Sequence, residues 1–336
     1  MICVQKQVIS ASKLRTQYPF GRCITMKFSL HFGNLICPDP TEAKRLAIAA
    51  ETAGFESVIA VEHVVIPSNY STKYPYSKTG RLPGDEKTDW PDPLAWLTFI
   101  GAVTKKLRLI TGVLVLPQRN PVILAKHLAT IDRLTSGRIE LGIGVGWLRE
   151  EFDALNVQFS NRGERTDEYI EAMRKLWQED TATFKGKFIN FDSVNCNPKP
   201  ICKNIPIIIG GHSARAVKRA AEFGDGFFPA TGMQNDLEFI LGLLWEKMDE
   251  IGREPEEIEI MTGCPELLTS PSEEALKEIK NKQEQGIHRL VVPLDGLLPE
   301  METNILRFGE EIIKDCLLYT SPSPRDRTRS RMPSSA

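Results

Sequence analysis

Apolar residues follow two alternating patterns along this chain. Short runs such as S-V-I-A-V-E at residues 57–62 are typical of buried β-strands, whereas residues 41–53 place alanines and a leucine three or four positions apart, as one face of a helix does. The strand pattern and the helix pattern alternate from residue 27 to residue 313. Strands that alternate with helices are joined by right-handed crossovers, so the chain is predicted to be an α/β protein with a parallel sheet.

The alternation amounts to eight strand–helix units. The predicted strands are residues 27–32, 57–62, 107–116, 138–144, 206–210, 226–229, 258–261 and 289–293. The predicted helices are residues 41–53, 93–105, 122–134, 164–179, 214–223, 236–251, 272–285 and 301–313. Eight units favour a closed (β/α)8 TIM barrel over an open sheet. Residues 184–192 alternate apolar and polar positions around Lys185-Gly186, which predicts a β-hairpin inserted before the fifth strand.

Both ends of the chain differ from this pattern. Residues 1–25 lack the apolar segment of a signal peptide, and we expect them to be a non-native or disordered extension that precedes an initiator at Met26. Residues 315–336 are rich in Pro, Ser and Arg and cannot supply a core face. Their segment C-L-L-Y-T-S-P-S-P-R-D resembles a translated sequencing adapter, so an artefactual tail is expected, and a basic interaction tail is the alternative. Residues 26–314 are then one barrel domain.

Composition excludes several classes of function. With a net charge of −2, the chain offers no basic surface for nucleic acid or for an anionic membrane. No apolar run in the sequence approaches the roughly 20 residues of a membrane-spanning helix. Seven scattered cysteines without a C-x-x-C motif favour reduced thiols and a cytoplasmic location over disulfides or a metal site.

Two strand ends carry the main candidate chemistry. Residues 134–147, L-T-S-G-R-I-E-L-G-I-G-V-G-W, and residues 207–213, I-I-I-G-G-H-S, both end in glycines followed by polar side chains. Glycine lets the backbone approach a flat or phosphorylated ligand closely, and the carboxyl ends of parallel strands share one rim. One cofactor spanning that rim is therefore predicted, with Gly210-Gly211 and Ser213 favouring its phosphate at a helix N-terminus. The alternatives are packing glycines and an ordinary N-cap.

His63 is the candidate for proton transfer. It follows Glu62 at the end of the second strand and opens the longest loop, residues 63–91, where it could exchange a proton or bind a cofactor ring. A structural histidine is the alternative, and His31 is a weaker candidate of the same kind. The sequence contains no G-x-G-x-x-G, H-E-x-x-H or G-x-S-x-G motif, so dinucleotide binding by a Rossmann fold, zinc catalysis and a serine nucleophile elbow are unsupported.

The order of several motifs carries a family likeness. D-R-L-T-S-G-R-I-E-L-G-I-G-V-G-W-x-x-E-E-F is followed by R-x-x-E-Y-I-E-A-M-R-x-L-W, F-x-G-K-F, N-P-K-P, P-I-I-I-G-G-H-S and G-D-G-F-F-P. Together they resemble the bacterial luciferase-like monooxygenase superfamily over residues 26–314. Y-P-Y-S-x-x-G-R-L-P and L-V-L-P-Q-R-N-P are most similar to its F-420-dependent oxidoreductase branch.

The resemblance implies a luciferase-like barrel that binds reduced FMN or coenzyme F-420 at the carboxyl rim. Carried over by position, the cofactor-binding residues would be Gly210, Gly211 and Ser213 for the phosphate, Gly144 and Gly146 beside the ring, and Thr111, Gly112 and Val113, with a non-proline cis peptide, behind it. The catalytic residues facing the ring or substrate would be His63 and Glu62, and no metal is implied.

The activity implied is that of an oxidoreductase acting on a small organic substrate. Hydride transfer and oxygen insertion both remain open, as does the choice between F-420 and FMN. A homodimer and a separate flavin reductase are the protein partners compatible with the resemblance. The alternative function is a non-catalytic flavin-binding barrel, because a fold alone does not guarantee chemistry.

Overall fold

A closed barrel of parallel strands forms the centre of the molecule. The computed structural model describes residues 25–82, 84, 87–229, 237–269 and 272–316. In these ranges the strands are β1 (Lys27–His31), β2 (Ser57–Ala60), β3 (Arg108–Thr111), β4 (Leu114–Val115), β5 (Ile139–Gly144), β6 (Ala182–Lys185), β7 (Asn190–Val194), β8 (Ile207–Gly210), β9 (Gly226–Phe228), β10 (Glu259–Gly263) and β11 (Arg289–Pro293). β4 continues β3, and β6 and β7 form a separate hairpin, so eight barrel strands remain. β3 pairs with β5 to close the ring.

Helices cover the outside of the barrel. They are α1 (Gly33–Ile36), α2 (Pro40–Ala53), α3 (Pro93–Val103), α4 (Pro121–Leu134), α5 (Arg149–Ala154), α6 (Arg162–Gln178), α7 (Ala214–Phe223), α8 (Leu237–Glu250), α9 (Ser272–Glu284) and α10 (Met301–Phe308). Asp39, Asp92 and Asn120 cap α2, α3 and α4 by accepting hydrogen bonds from backbone N–H groups, each directly before a proline at the first helical position. None of the helices in the described ranges is long and apolar enough to cross a membrane.

The predicted (β/α)8 barrel with a hairpin before its fifth strand is confirmed, with two local differences. Of the pair Lys185-Gly186, only Gly186 lies in the hairpin turn, because Lys185 pairs with Asn190 and residues 186–189 make the turn. The predicted continuous strand at residues 107–116 is broken after Thr111. The peptide bond between Gly112 and Val113 is cis, as the family resemblance implies for this strand.

The expected domain limits stay a prediction. Residues 1–24 and 317–336, which contain most of the two expected extensions, lie outside the described residues. Inside that range, the last helical segment runs through Cys316, and the Cys316 side chain is buried in the core. The folded chain therefore extends two residues beyond the expected limit at Lys314.

A network of charged side chains fills the amino-terminal end of the barrel. Arg289, the first residue of β11, is fully buried and contacts Glu140 at 2.8 Å, Glu259 at 2.9 Å and Glu56 at 3.2 Å. Arg108 pairs with Glu140, and Lys27 pairs with Glu259. The six residues come from the starts of six neighbouring or opposing strands, and their three positive and three negative charges balance.

The network holds Arg289 and Glu140 in their charged forms. Burial opposes the charge on Arg289, but the three carboxylates outweigh burial and raise the pKa of Arg289. Burial likewise opposes the charge on Glu140, and the guanidinium groups of Arg289 and Arg108 outweigh it and lower the pKa of Glu140. An isolated charge in this position would be strongly unfavourable, so the members of the network stabilise the fold only together.

Replacing Arg289 by Met is expected to lower the free energy of unfolding by about 3–5 kcal/mol, because the change leaves three carboxylates without their shared cation. The matched control is Arg45→Met on α2, where the arginine pairs with Glu302 at the surface and about 1 kcal/mol or less should be lost. Urea denaturation followed by tryptophan fluorescence at neutral pH measures both. Similar losses for the two variants would contradict a structural role for the network.

Candidate active site

Val113 presents an apolar surface at the carboxyl end of the barrel. It lies in the break between β3 and β4, where Gly112 and Val113 are half-buried. A Cβ atom added at Gly144 would come within 2.7 Å of Val113 Cγ2, and one added at Gly210 within 2.6 Å of Val113 Cγ1. Both glycines therefore make room for the Val113 side chain. The structure brings together these four predicted site residues from three strands.

Thr111 and Gly146 support this surface from within the protein. Thr111 is fully buried, and its hydroxyl donates to the carbonyl of Gly142 on β5 at 2.7 Å, so it has no exposed face for a ligand. Gly146 has a φ of 80°, and a Cβ atom there would lie 2.7 Å from both Val115 and Phe152. Thr111 and Gly146 thus make contacts within the scaffold, and their expected contacts with a ring stay a prediction.

His31 holds the Gly112 carbonyl from below. Its Nε2 lies 3.1 Å from Gly112 O, and its ring stacks on Phe32 with centroids 3.9 Å apart. A carbonyl oxygen can only accept, so Nε2 carries the hydrogen. Burial lowers the pKa of His31 to about 4, which leaves the imidazole neutral at neutral pH. His31 therefore fixes the position of Gly112 and, through it, of Val113.

His63 forms a buried pair with Glu151 of α5. Only 7% of the His63 side chain and 1% of the Glu151 side chain are exposed, and Nδ1 lies 3.2 Å from Oε2. The other carboxylate oxygen, Oε1, accepts from Val64 N at 2.7 Å and from Val65 N at 3.3 Å. Because a carboxylate only accepts, Nδ1 carries the hydrogen. Within the described residues Nε2 has no hydrogen-bond partner and is free to exchange a proton.

Glu151 is a functional candidate that the sequence analysis did not assign. The signal was the acidic pair in W-x-x-E-E, directly after the glycine-rich end of β5. Glu151 lies 88 positions from His63 along the chain, and only the closed barrel brings the two side chains together.

Glu62 has different partners from His63. Its carboxylate accepts from Val115 N at 2.6 Å and from the Arg119 guanidinium, which also contacts Asp92 at 2.6 Å. Burial raises the pKa of Glu62, although Arg119 acts in the opposite direction. Glu62 ties β4 to Arg119, and its expected role facing a ring or substrate stays a prediction. The geometry thus gives Glu62 a supporting position beside the site.

The amino-terminal end of α7 provides a place for an anionic group. Gly211 has a φ of 124°, in a region that side-chain-bearing residues rarely adopt, and its N–H donates to Phe228 O at 3.2 Å. Ser213 is the N-cap of α7, and its hydroxyl accepts from Ala216 N at 3.2 Å. Aligned peptide dipoles make such a helix end attractive to phosphate.

Three guanidinium groups add positive charge to this side of the rim. Arg162 donates to Gly146 O at 3.1 Å. The guanidinium groups of Arg162 and Arg149 both stack over the ring of Phe159. Burial and the charges of Arg149 and Arg215, the second residue of α7, lower the pKa of Arg162. Among the described residues no carboxylate pairs with any of the three. A bound anion would relieve their mutual repulsion.

The long loop after β2 is attached to α5 at two points. Glu150 accepts from Ser71 N at 2.6 Å and Ser71 Oγ at 2.9 Å, and from Thr72 N at 3.1 Å and Thr72 Oγ1 at 2.6 Å. Slight burial opposes the charge, but these hydrogen bonds outweigh it and lower the pKa of Glu150 to about 2. The neighbouring Glu151 holds residues 63–65 of the same loop.

Three buried polar groups at the strand exits lack partners within the part of the chain that the structure describes. They are the indole N–H of Trp90, both amide atoms of Gln118 and Nδ1 of His212. An unpartnered buried polar atom costs about 1–3 kcal/mol, so such atoms usually face a ligand or water. The sequence cannot identify these three side chains as site residues, because what distinguishes them is the absence of a hydrogen-bond partner in the folded structure.

Comparison with known proteins agrees with this geometry. A family model described as luciferase-like monooxygenase matches residues 19–306. An uncharacterised protein of Mycobacterium tuberculosis is 32% identical over 218 residues, which are 65% of this chain and 75% of that protein.

Two relatives are enzymes with a named activity. The FMNH(2)-dependent dimethylsulfone monooxygenase of Pseudomonas fluorescens is 33% identical over 189 residues, 55% of this chain and 46% of that enzyme. The F420-dependent glucose-6-phosphate dehydrogenase of Segniliparus rotundus is 31% identical over 228 residues, 64% of this chain and 61% of that enzyme. This chain thus spans about half of the first enzyme and less than two thirds of the second.

A solved structure shows the same fold. The crystal structure of a monooxygenase from Streptomyces bottropensis matches 86% of this chain and 99% of its own, with a TM-score of 0.69 and 21% identity. The likeness inferred from the order of the motifs is confirmed, since the family model covers well over half of the sequence. The chain belongs to the luciferase-like monooxygenase family.

Proposed function

We propose that the protein is an oxidoreductase that uses reduced FMN or coenzyme F-420, and that Nε2 of His63 exchanges a proton with a small organic substrate. The observation that carries the proposal is the buried His63–Glu151 pair at the carboxyl rim. Family membership supports it, because relatives include an FMNH(2)-dependent and an F420-dependent enzyme.

The rim has groups that fit the common parts of both cofactors. The apolar face of Val113, seated over two glycines, suits a flat ring, and the unpartnered amide of Gln118 offers one donor and one acceptor to polar ring edges. The N-terminus of α7, with Ser213 and the three guanidiniums, suits a phosphate. The reduced cofactor would supply a hydride or, with oxygen, the reducing electrons.

Glu151 prepares His63 for proton transfer. Its carboxylate keeps the hydrogen on Nδ1, which leaves Nε2 as the reactive nitrogen. The same negative charge stabilises the imidazolium that forms when Nε2 takes a proton, as the carboxylate does in a catalytic triad. Trp90 and Trp147 pack edge-on against His63 at 5.0 and 5.8 Å and limit the access of water to the pair.

Replacing His63 by Ala should reduce turnover by about 10²–10⁴, the usual effect of losing a positioned acid–base group, while cofactor affinity stays unchanged. His127→Ala on the exposed face of α4 is the matched control and should keep full turnover. The assay is substrate-dependent oxidation of reduced FMN and F-420, with and without oxygen. Unchanged turnover in His63→Ala would favour a cofactor-binding barrel without catalysis, and failure of every flavin and deazaflavin to bind would reject both functions.

Phosphate recognition can be tested separately from catalysis. Gly211→Val should weaken FMN binding about tenfold or more, because a side chain at a φ of 124° strains the turn before α7. Riboflavin, which lacks the phosphate, should lose much less affinity. Gly242→Val is the control, since a Cβ atom there meets nothing within 4 Å. Equal losses for FMN and riboflavin would place the phosphate elsewhere.

Glu150 should keep the loop in place over the site. Glu150→Ala is expected to accelerate hydrogen exchange at Ser71 and Thr72 about tenfold or more, since hydrogen bonds to a charged acceptor are worth about 1.5–3 kcal/mol. Asp153→Asn, on the same helix but exposed, should change nothing.

The contribution of Glu150 should also depend on pH. Its pKa of about 2 in the folded protein lies below the ordinary value of 4.5. The stabilisation is therefore complete above about pH 4.5 and is lost as the pH falls towards 2. Exchange measured by mass spectrometry at pH 7 and pH 5 should differ little in Ser71 and Thr72 protection once corrected for intrinsic rates. A large loss already at pH 5 would contradict the carboxylate contacts.

A further inference from the structure

Aromatic side chains form a connected series along one side of the rim, from the exit of β2 to the exit of β8. We call it the aromatic arc, and its members are His63, Tyr70, Tyr74, Tyr76, Trp90, Trp147 and His212. Trp147 is its centre, with ring centroids 5.0 Å from Tyr74 and 5.8 Å from both Tyr70 and His63. Tyr74 continues to Tyr76 at 5.4 Å, and Tyr76 to His212 at 5.6 Å. All these pairs meet at steep angles, in the edge-to-face manner that aromatic rings prefer.

Tyr74 and Tyr76 of the arc are uncharged at neutral pH. Burial raises the pKa of Tyr74 to about 12 and also raises that of Tyr76, so both phenols keep their hydrogens. Arg81 is the cation that contacts an arc ring in the described residues, over Tyr70 at 4.7 Å, and its own side chain is exposed.

The carboxylates beside the arc are already occupied. Glu151 accepts hydrogen bonds from His63 and two loop amides, and Glu150 accepts four from Ser71 and Thr72. The negative charge of each carboxylate is therefore already compensated by donors of the protein. A ligand on the arc would therefore meet ring faces, ring edges and neutral polar groups.

Both ends of the arc carry a buried polar atom without a partner among the described residues. At the His63 end it is the indole N–H of Trp90, which can only donate, and at the other end it is Nδ1 of His212. A carbonyl or hydroxyl oxygen on a ligand would satisfy the Trp90 donor without bringing charge into the site. These atoms are independent evidence that the arc faces a bound molecule.

We propose that the substrate is an uncharged aromatic molecule bearing a carbonyl or hydroxyl group, bound against the aromatic arc with its oxygen at Trp90 Nε1. This inference rests on the proposed function, because it places the substrate oxygen near the His63 end of the arc. The unpaired guanidiniums are left to the anionic group of the cofactor.

Four small probes separate the features of such a substrate. Acetophenone is neutral and aromatic, benzoate and benzylammonium add a negative or a positive charge, and cyclohexyl methyl ketone removes the aromatic ring. In NMR titrations of the full chain with cofactor, acetophenone should bind about tenfold or more tighter than either ion, since burying an uncompensated charge is costly. It should bind about 2–10-fold tighter than the aliphatic ketone, which corresponds to the usual value of aromatic contacts.

A cycle of two variants and two probes tests the Trp90 donor. Trp90→Phe keeps a ring and removes the N–H, so it should weaken acetophenone about fivefold or more and leave ethylbenzene, which lacks the oxygen, unchanged. Tyr74→Ala should weaken both probes. An equal effect of Trp90→Phe on the two probes would overturn the assignment of the oxygen.

The outcome also separates this inference from the proposed function. Binding of benzoate as tight as acetophenone would reject the neutral aromatic substrate while cofactor binding and the effect of His63→Ala stand. Absence of cofactor binding in the same samples would instead reject the proposed function.

Discussion

The ion network around Arg289 is the constraint on which the rest of the barrel depends. One fully buried guanidinium joins carboxylates from β5, β10 and the residue before β2, which are not all neighbours in the sheet. Parallel strands could in principle slip by whole residues, and a slip of one residue turns every side chain to the opposite face. A central cation with three partners allows one register. The same register, at the other end of the strands, places Val113 over Gly144 and Gly210.

The strands and most helices could be predicted because each leaves a local signal. The apolar runs and their glycine ends led to the barrel, and the glycines at 144, 210 and 211 are at the rim as expected. The sequence does not show why glycine is needed at two of these positions. Gly144 and Gly210 make room for a valine from another strand, and that requirement exists only after the barrel closes.

Long-range pairing explains the rest of what the sequence left open. Glu62 directly precedes His63 in the sequence, yet successive residues at a strand end point in different directions. Glu62 therefore pairs with Arg119, whereas Glu151 contacts His63. The hydroxyl of Thr111 donates to a carbonyl on a neighbouring strand, a contact that its position in the sequence does not reveal. The unpartnered atoms of Trp90, Gln118 and His212 have no sequence signature at all, since a missing hydrogen bond is a property of the folded surroundings.

Glu150 and Glu151 are neighbours on the short helix α5, so the attachment of the loop and the orientation of His63 depend on the same helix. One carboxylate fastens the loop at residues 71 and 72, and the next orients the imidazole of His63 and fastens the start of the same loop. A movement of the helix that released the loop would also withdraw the partner of the imidazole. Release of the loop and loss of the Glu151–His63 contact would therefore occur together. In the proposed reaction, a reduced cofactor exposed to water would then have no oriented imidazole beside it to transfer a proton.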